Sequence, residues 1–163
     1  MSLCKSHMHA LLYFSFLSFS ACATTKYIDM NLYGVLIAPP VCTIPGDSII
    51  YVNLGDRILN SKIDGVNYLT DFSIPISCTG SPTGVEMSIK GTGASFDNKV
   101  LKTPKPGLGI RFLRNGAAQP INNWFAVDYH QSVALQAVPV KQAGVAISGG
   151  AFSATATVTL RLP

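Results

Sequence analysis

The sequence predicts an all-β domain, and three observations support this prediction. No segment after the N-terminal leader shows the 3.6-residue apolar stripe of an amphipathic helix. Apolar and polar residues instead alternate in short runs, of which Phe152–Leu162 is the clearest. Turn-forming residues such as Pro104–Gly107 and Asn115-Gly116 separate the runs. Together with one pair of cysteines, Cys42 and Cys78, this pattern is typical of an immunoglobulin-like β-sandwich.

Seven segments are predicted as strands because each combines β-branched or aromatic residues with turn signals at its ends. In chain order they are Ile28–Ile37, Ile49–Leu54, Phe72–Cys78, Val85–Lys90, Leu108–Leu113, Ser132–Val140 and Phe152–Leu162. Residues Asn60–Asn67 are expected to form at most a helical turn, since Gly65 and its β-branched neighbours disfavour a longer helix. We find no internal repeat and no linker, so one domain is expected.

Residues 1–23 have the pattern of a secretory signal peptide. Lys5 precedes the apolar run Ala10–Phe19, and the small residues of Ala21–Ala23 follow as a cleavage site. The run is too short to span a membrane as a helix. The mature chain is therefore expected to begin near Thr24 with about 140 residues, enough for one sandwich-sized core.

A second interpretation makes Cys22 the acylated residue of a lipoprotein signal. Ala21 supplies the small residue before it, but Phe19 stands where Leu is usual. The secretory signal is favoured, and mass spectrometry of the mature protein distinguishes the two.

Cleavage after Ala23 leaves Cys42 and Cys78, which in an exported chain predict one disulfide. A metal site would need further Cys or His ligands at short spacing, and the sequence has none. Closing the loop between the two cysteines removes unfolded-state entropy worth roughly 4 kcal/mol.

Charge excludes some function classes. Only 12% of residues are charged, the net charge is +4 and the mean hydropathy is +0.33. The basic residues are scattered, and the mild cluster Lys99, Lys102 and Lys105 lies among prolines and glycines, which predicts a solvated loop. This distribution of basic residues does not predict a nucleic-acid-binding surface.

Catalytic residues are not recognisable. His130 is the single histidine of the predicted mature chain, and Asp128 lies two residues before it without a marked nucleophile. Glu86 is the single glutamate, so no carboxylate dyad is predicted. We expect neither an enzyme nor a cofactor, and no small-molecule substrate.

Two amphipathic strands stand at the ends of the predicted mature chain. An apolar strand at a sheet edge promotes pairing with another chain, so we expect a partner to complete the C-terminal one. In the first strand, alternate positions are Ile28, Met30, Leu32, Gly34 and Leu36. In the last, they are Phe152, Ala154, Ala156, Val158, Leu160 and Leu162.

Several segments, in this order, resemble subunits of chaperone–usher pili. They are Gly34–Gly46, Val52–Gly55, Ile74–Cys78, Gly107–Ile110 and the closing run Gly150–Ala156. Together they span nearly the whole predicted mature chain. Within them, Ile37–Ile44 most resembles the adaptor-type minor subunits of P-type pilus tips.

The resemblance implies an incomplete immunoglobulin-like sandwich that lacks its last strand and has a groove along its C-terminal strand. In this family a periplasmic chaperone lends a strand to the groove, and the N-terminal extension of the next subunit later replaces it. An outer-membrane usher and neighbouring subunits are the other implied partners, and the cell-surface pilus is the implied location.

Carried onto this chain, the resemblance implies a donor-strand extension at 24–36 and a pilin domain at 37–163. The groove strand would contain Gly150, which is fourteenth from the C-terminus as the family requires, and the apolar positions from Phe152 to Leu162. The second-to-last residue is usually Tyr in the family, whereas this chain ends Leu162-Pro163.

Three other functions stay open at this point. Trp124, Phe125 and Tyr129, beside Asn122 and Asn123, would suit the stacking platform of a carbohydrate-binding adhesin, although packing in the core is favoured. The length leaves room for a pilin domain without a lectin domain before it. Within the pilin interpretation, a tip adaptor is expected, and a major shaft subunit or a terminator is the alternative.

Overall fold

The computed structural model describes residues 25–46 and 49–163. The predicted signal peptide and Cys22 lie outside this range. The chain divides between Leu36 and Ile37 into two units. In the first, residues 25–36 carry no regular secondary structure. Among the described residues, no helix is long and apolar enough to cross a membrane.

The second unit is built from strands, and its described residues contain no α-helix. A single 3₁₀ turn covers Asn60–Lys62, in agreement with the expected short helical turn. The strands are β1 Val41–Thr43, β2 Thr70–Ile74, β3 Ser77–Thr79, β4 Val85–Lys90, β5 Gly93–Ala94, β6 Asp97–Lys102, β7 Leu108–Arg114, β8 Ala117–Gln119, β9 Trp124–Val127, β10 Val133–Lys141 and β11 Thr157–Arg161.

These strands form three antiparallel sheets, none of which closes on itself. The largest has the order β2-β10-β7-β6-β5, with β8 added to β7. The second has the order β11-β4-β9, and β1 pairs with β3 in a small ribbon. The predicted all-β, immunoglobulin-like class is confirmed.

The main core contains side chains from both larger sheets, as expected of a sandwich. Phe72 and Phe112 add an edge-to-face pair at a centroid distance of 6.1 Å. The buried members are Ile74, Met87, Ile89, Leu101, Ile110, Phe112, Ile121, Phe125, Val133, Leu135 and Ala137. A smaller cluster formed by Ala94, Val100, Val138 and Val140 lies apart from it.

The predicted disulfide is confirmed. Cys42 and Cys78 are bonded and stand directly opposite each other in the β1–β3 pair. The bond therefore joins the first strand of the domain to a strand that follows the 3₁₀ turn and β2.

Three of the predicted strands match the structure closely, and the others differ from it. Val85–Lys90 is confirmed as β4, and the predictions for β7 and β10 are correct to within one residue. The prediction of one strand over 72–78 was wrong, since Pro75-Ile76 separates β2 from β3. Proline has no backbone N–H for a sheet ladder. The strands β1, β5, β6, β8 and β9 were not predicted.

Three predicted strands form little or no sheet pairing. Residues 28–37 and 49–54 have none in the described structure, and the last predicted strand pairs only over β11. Apolar and polar residues alternate in these sequences, but a strand also needs a neighbour with which to exchange backbone hydrogen bonds.

Candidate functional site

The candidate site is the free edge of β11. On one side β11 pairs with β4, placing Val158 opposite Ile89 and Leu160 opposite Met87. On its other side no strand ladder forms within the described residues. Free backbone N–H and C=O groups on such an edge are available to an added strand.

The inner face of this strand is only partly covered. Val158 and Leu160, with Phe152 and Ala156 before them, are half-buried and pack against the main core. Ala154, expected on the same face, is exposed, because the chain before Thr157 does not yet follow the sheet. Leu162 is 39% exposed, beyond the end of β11.

A second extended segment, residues 49–54, flanks the same core. Val52 and Leu54 pack against the core, whereas Tyr51 is 87% exposed. This backbone makes no ladder with the described strands and is held by weaker contacts, such as a 3.5 Å hydrogen bond from the Thr70 hydroxyl to the Asn53 carbonyl. One core is thus bordered by two extended backbones that each lack a sheet partner on at least one side.

The loop before β11 is anchored by polar contacts. The Lys105 ammonium donates to the carbonyls of Ser148 at 3.1 Å and Gly149 at 2.7 Å. Asn60 donates to the Ile147 carbonyl at 2.9 Å. Gly150 follows at φ +108°, a conformation that favours glycine. The predicted loop was wrong for Lys99 and Lys102, which lie in β6, whereas Lys105 lies in a turn and its ammonium holds the start of the C-terminal segment.

In the first unit, the predicted donor positions are open to solvent. Exposure is 84% for Ile28, 76% for Met30, 84% for Leu32 and 100% for Leu36. A methyl group at Gly34 would meet no residue beyond its two chain neighbours within 4 Å. Exposed apolar side chains at alternate positions would suit insertion into a groove of another molecule.

The aromatic residues considered for sugar binding do not form one platform. Phe125 is 8% exposed and belongs to the main core. Trp124 points to the opposite face, where Arg161 and Lys90 lie over its ring. Tyr129 stacks on His130 at a centroid distance of 4.1 Å. The favoured core packing is confirmed for Phe125.

Asp128 and His130 form a turn contact instead of an acid–base pair. The Asp128 carboxylate accepts hydrogen bonds from the His130 backbone N–H at 3.0 Å and the Gln131 side chain at 2.8 Å. The backbone hydrogen bond is the main cause that lowers the pKa of Asp128. In the described part of the chain, no group of three His, Cys, Asp or Glu residues could hold a metal.

Residues 30–162 match the family model described as "Fimbrial protein". The chain belongs to the fimbrial protein family. It is 32% identical over 157 residues to the uncharacterized fimbrial-like protein YfcR of Escherichia coli (strain K12), covering 92% of this chain and 89% of that protein.

The chain is also similar in fold to solved structures of pilus subunits. The P pilus rod subunit PapA has a TM-score of 0.63 at 22% identity, covering 75% of this chain and 99% of that one. The P pilus adaptor subunit PapF has a TM-score of 0.58 at 23% identity, covering 75% and 95%. The predicted resemblance to chaperone–usher pilus subunits is confirmed. Membership of the fimbrial protein family confirms the predicted location in a cell-surface fimbria.

Proposed function

We propose that this fimbrial subunit polymerises by donor-strand exchange and has a structural, non-enzymatic role. The segment 24–36 enters the groove of one neighbouring subunit, and the groove along β11 receives the extension of another. The free edge of β11 beside a half-covered apolar core is the observation that carries the proposal.

The physics of strand addition supports both the donor role of segment 24–36 and the acceptor role of the groove along β11. Main-chain hydrogen bonds supply affinity for any extended segment, and alternate side chains set register and partner choice. Burial of Ile28, Met30, Leu32 and Leu36 contributes about 1.5–3 kcal/mol each, or roughly 6–12 kcal/mol together. This sum is an upper estimate, since a flexible chain already hides some apolar surface.

Before assembly, a periplasmic chaperone occupies the same groove and the usher then receives the complex. We assign residues 1–23 to the export signal, 24–36 to the donor extension and 37–163 to the pilin domain. The groove strand comprises Gly150 and the alternate positions from Phe152 to Leu162.

Within the pilus, we place the subunit at the tip as an adaptor between an adhesin and the fibre. The support is the resemblance of Ile37–Ile44 to adaptor-type minor subunits. Fold similarity extends to a rod subunit and an adaptor alike, so it does not distinguish these positions. Immunogold labelling at pilus tips is expected, and uniform labelling along the shaft would contradict the adaptor position.

The donor role is tested by a matched pair of substitutions on adjacent residues. Leu32→Arg places a charge on the face that enters the neighbour, whereas Tyr33→Arg changes the opposite face. In the full chain, Leu32→Arg should abolish incorporation into pili and Tyr33→Arg should preserve it, as measured by immunoblotting of sheared pili. Equal incorporation of both variants would refute the proposed joint.

A further inference from the structure

The outer face of the three-stranded sheet carries a polar cluster centred on Arg161. Its Nε and Nη2 atoms donate to Glu86 Oε2 at 2.6 and 2.5 Å, linking β11 to β4. Its guanidinium also lies 4.3 Å from the ring centroid of Trp124 on β9. The Lys90 ammonium lies 4.9 Å from the same centroid. We call these four residues the Arg161 clasp.

The clasp extends across all three strands. Trp124 and Thr159 stand opposite Ser88 from the two sides of β4, and Arg161 stands opposite Glu86. Because its guanidinium is bonded to Glu86, the Arg161 side chain lies over the central strand, where it meets the indole. Ser88 is fully buried although it is on the outer face of β4. The cluster therefore covers the middle of this face.

The sequence of β11 leaves its register poorly specified without such a feature. From Ala154 to Leu160 every second residue is apolar and every other residue is threonine. A slip by one residue would turn the apolar row to solvent and is excluded. A slip by two residues would again place Ala156, Val158 and Leu160 against the core.

Arg161 distinguishes the observed register from both two-residue slips. A forward slip would place Thr159 opposite Glu86 and move Arg161 to the level of Gly84, about 7 Å from its present position. A backward slip would bring Arg161 opposite Ser88, nearer to the like charge of Lys90. It would also place Pro163, which has no N–H, in the ladder opposite Glu86.

We propose that Arg161 is a specificity-determining residue of strand exchange, because it fixes the register of β11 and so decides which side chains an incoming strand meets. This inference rests on the proposed function of β11 as the groove strand. A two-residue slip would move Val158 and Leu160 by about 7 Å along the groove and mismatch the apolar positions of a donor.

Cysteine pairing measures the register directly. The full chain is exported to a bacterial periplasm together with a pilus chaperone, with either Ser88→Cys and Thr159→Cys or Ser88→Cys and Thr157→Cys. The first pair is opposed in the observed register and the second after a forward slip. Peptide mapping separates both products from the Cys42–Cys78 bond. Loss of the first product reports a slip in either direction.

Arg161→Gln should raise the ratio of the second product to the first about tenfold, as expected for loss of an ion pair and a cation–π contact. Arg57→Gln, at an exposed position, is the matched control and should leave the ratio unchanged. Should Arg161→Gln fail to accumulate, Trp124→Leu tests the same clasp from β9. An unchanged ratio in the clasp variants would overturn the proposal.

A synthetic peptide of residues 24–36 tests the role of Arg161 separately from the proposed function of β11 as the groove strand. Dissociation of the peptide from the Arg161→Gln chain should be about tenfold faster than from the unsubstituted chain. A peptide that binds neither chain would refute strand exchange between two copies of this chain, whereas the cysteine ratio would still report the register. Equal dissociation from both chains would overturn the specificity role of Arg161.

Discussion

The strands β10 and β11 are both built around apolar residues but lie in different environments. β10 lies between β2 and β7, and Leu135 and Val138 are at most 1% exposed. β11 has a ladder only with β4, and Val158 and Leu160 are half-buried. The difference shows that the sequence decides where a strand is apolar, whereas burial of those side chains depends on the neighbours of the strand. For β10 both neighbours belong to the same chain.

The largest effect on the free energy of unfolding is expected when Leu135→Ala is compared with Leu160→Ala. Leu135→Ala should lower the free energy of unfolding by about 2–5 kcal/mol whether or not a donor strand is bound, since Leu135 is already buried by strands of the same chain. Leu160→Ala should cost clearly less without a donor and approach the same range when the peptide of residues 24–36 is bound. Urea unfolding of the full chain with and without peptide measures both. Equal costs without peptide would mean that the groove is already closed.

A smaller effect is expected from exchanging a methyl group and a hydroxyl within β11. Val158→Thr places a hydroxyl in the groove and should weaken peptide binding by about 1–3 kcal/mol, because the hydroxyl loses water when the donor covers it. Thr157→Val makes the reverse change at a neighbouring exposed position and should leave binding nearly unchanged. Titration of each variant with the labelled peptide checks this. Similar losses of peptide affinity in both variants would show that the donor does not contact one face of β11 in preference to the other.

The anchoring of the segment before β11 should contribute less. Lys105→Met removes the two hydrogen bonds to the Ser148 and Gly149 carbonyls and should cost about 1 kcal/mol. Amide hydrogen exchange should accelerate from Val145 to Ala156 and not in β10. Lys102→Met, at an exposed position in β6, serves as the control. Unchanged exchange in Lys105→Met would show that backbone packing alone holds this segment.

The smallest effect concerns pH and the turns beside the larger sheet. Backbone hydrogen bonds from Asn67 and Val66 lower the pKa of Asp64, and the bond from His130 lowers that of Asp128. A lowered pKa in the folded state gives stability that is present above the unfolded-state pKa of about 3.9 and lost as pH falls through the folded-state pKa.

Amide chemical shifts of Val66 and His130 should therefore titrate at low pH. Residues 142–156 contain no Asp or Glu, so their amides should not follow the same transition. Asp128→Asn should abolish the response of His130 while that of Val66 persists. A titration shared by all three regions would indicate global unfolding instead of local loss of the turns.

Much of the fold was predictable where apolar runs and turn signals agree, as in β4, β7 and β10. β6 was missed because Asp97, Asn98 and Lys99 make its first half polar, and its pairing with β7 and β5 is a tertiary effect. Residues 49–54 show the opposite error, since their alternation is correct but no neighbour completes a ladder.

At the candidate site, the sequence predicts the apolar face of β11 but not its surroundings. The role of Lys105 depends on carbonyls more than forty residues away along the chain. The Arg161 clasp requires the register of three strands, none of which follows another directly in the sequence. Such contacts arise from topology, which local patterns do not encode.

The position of the disulfide has a mechanical consequence for a fibre. Residues 37–41 alone separate the proposed donor extension from Cys42, which is covalently joined to Cys78 across β1 and β3. A tensile force applied through that extension would reach a covalent cross-link before it could peel β1 from its partner strand. The load would then be shared between two points of the chain, so that the hydrogen bonds of a three-residue strand would not have to resist it alone.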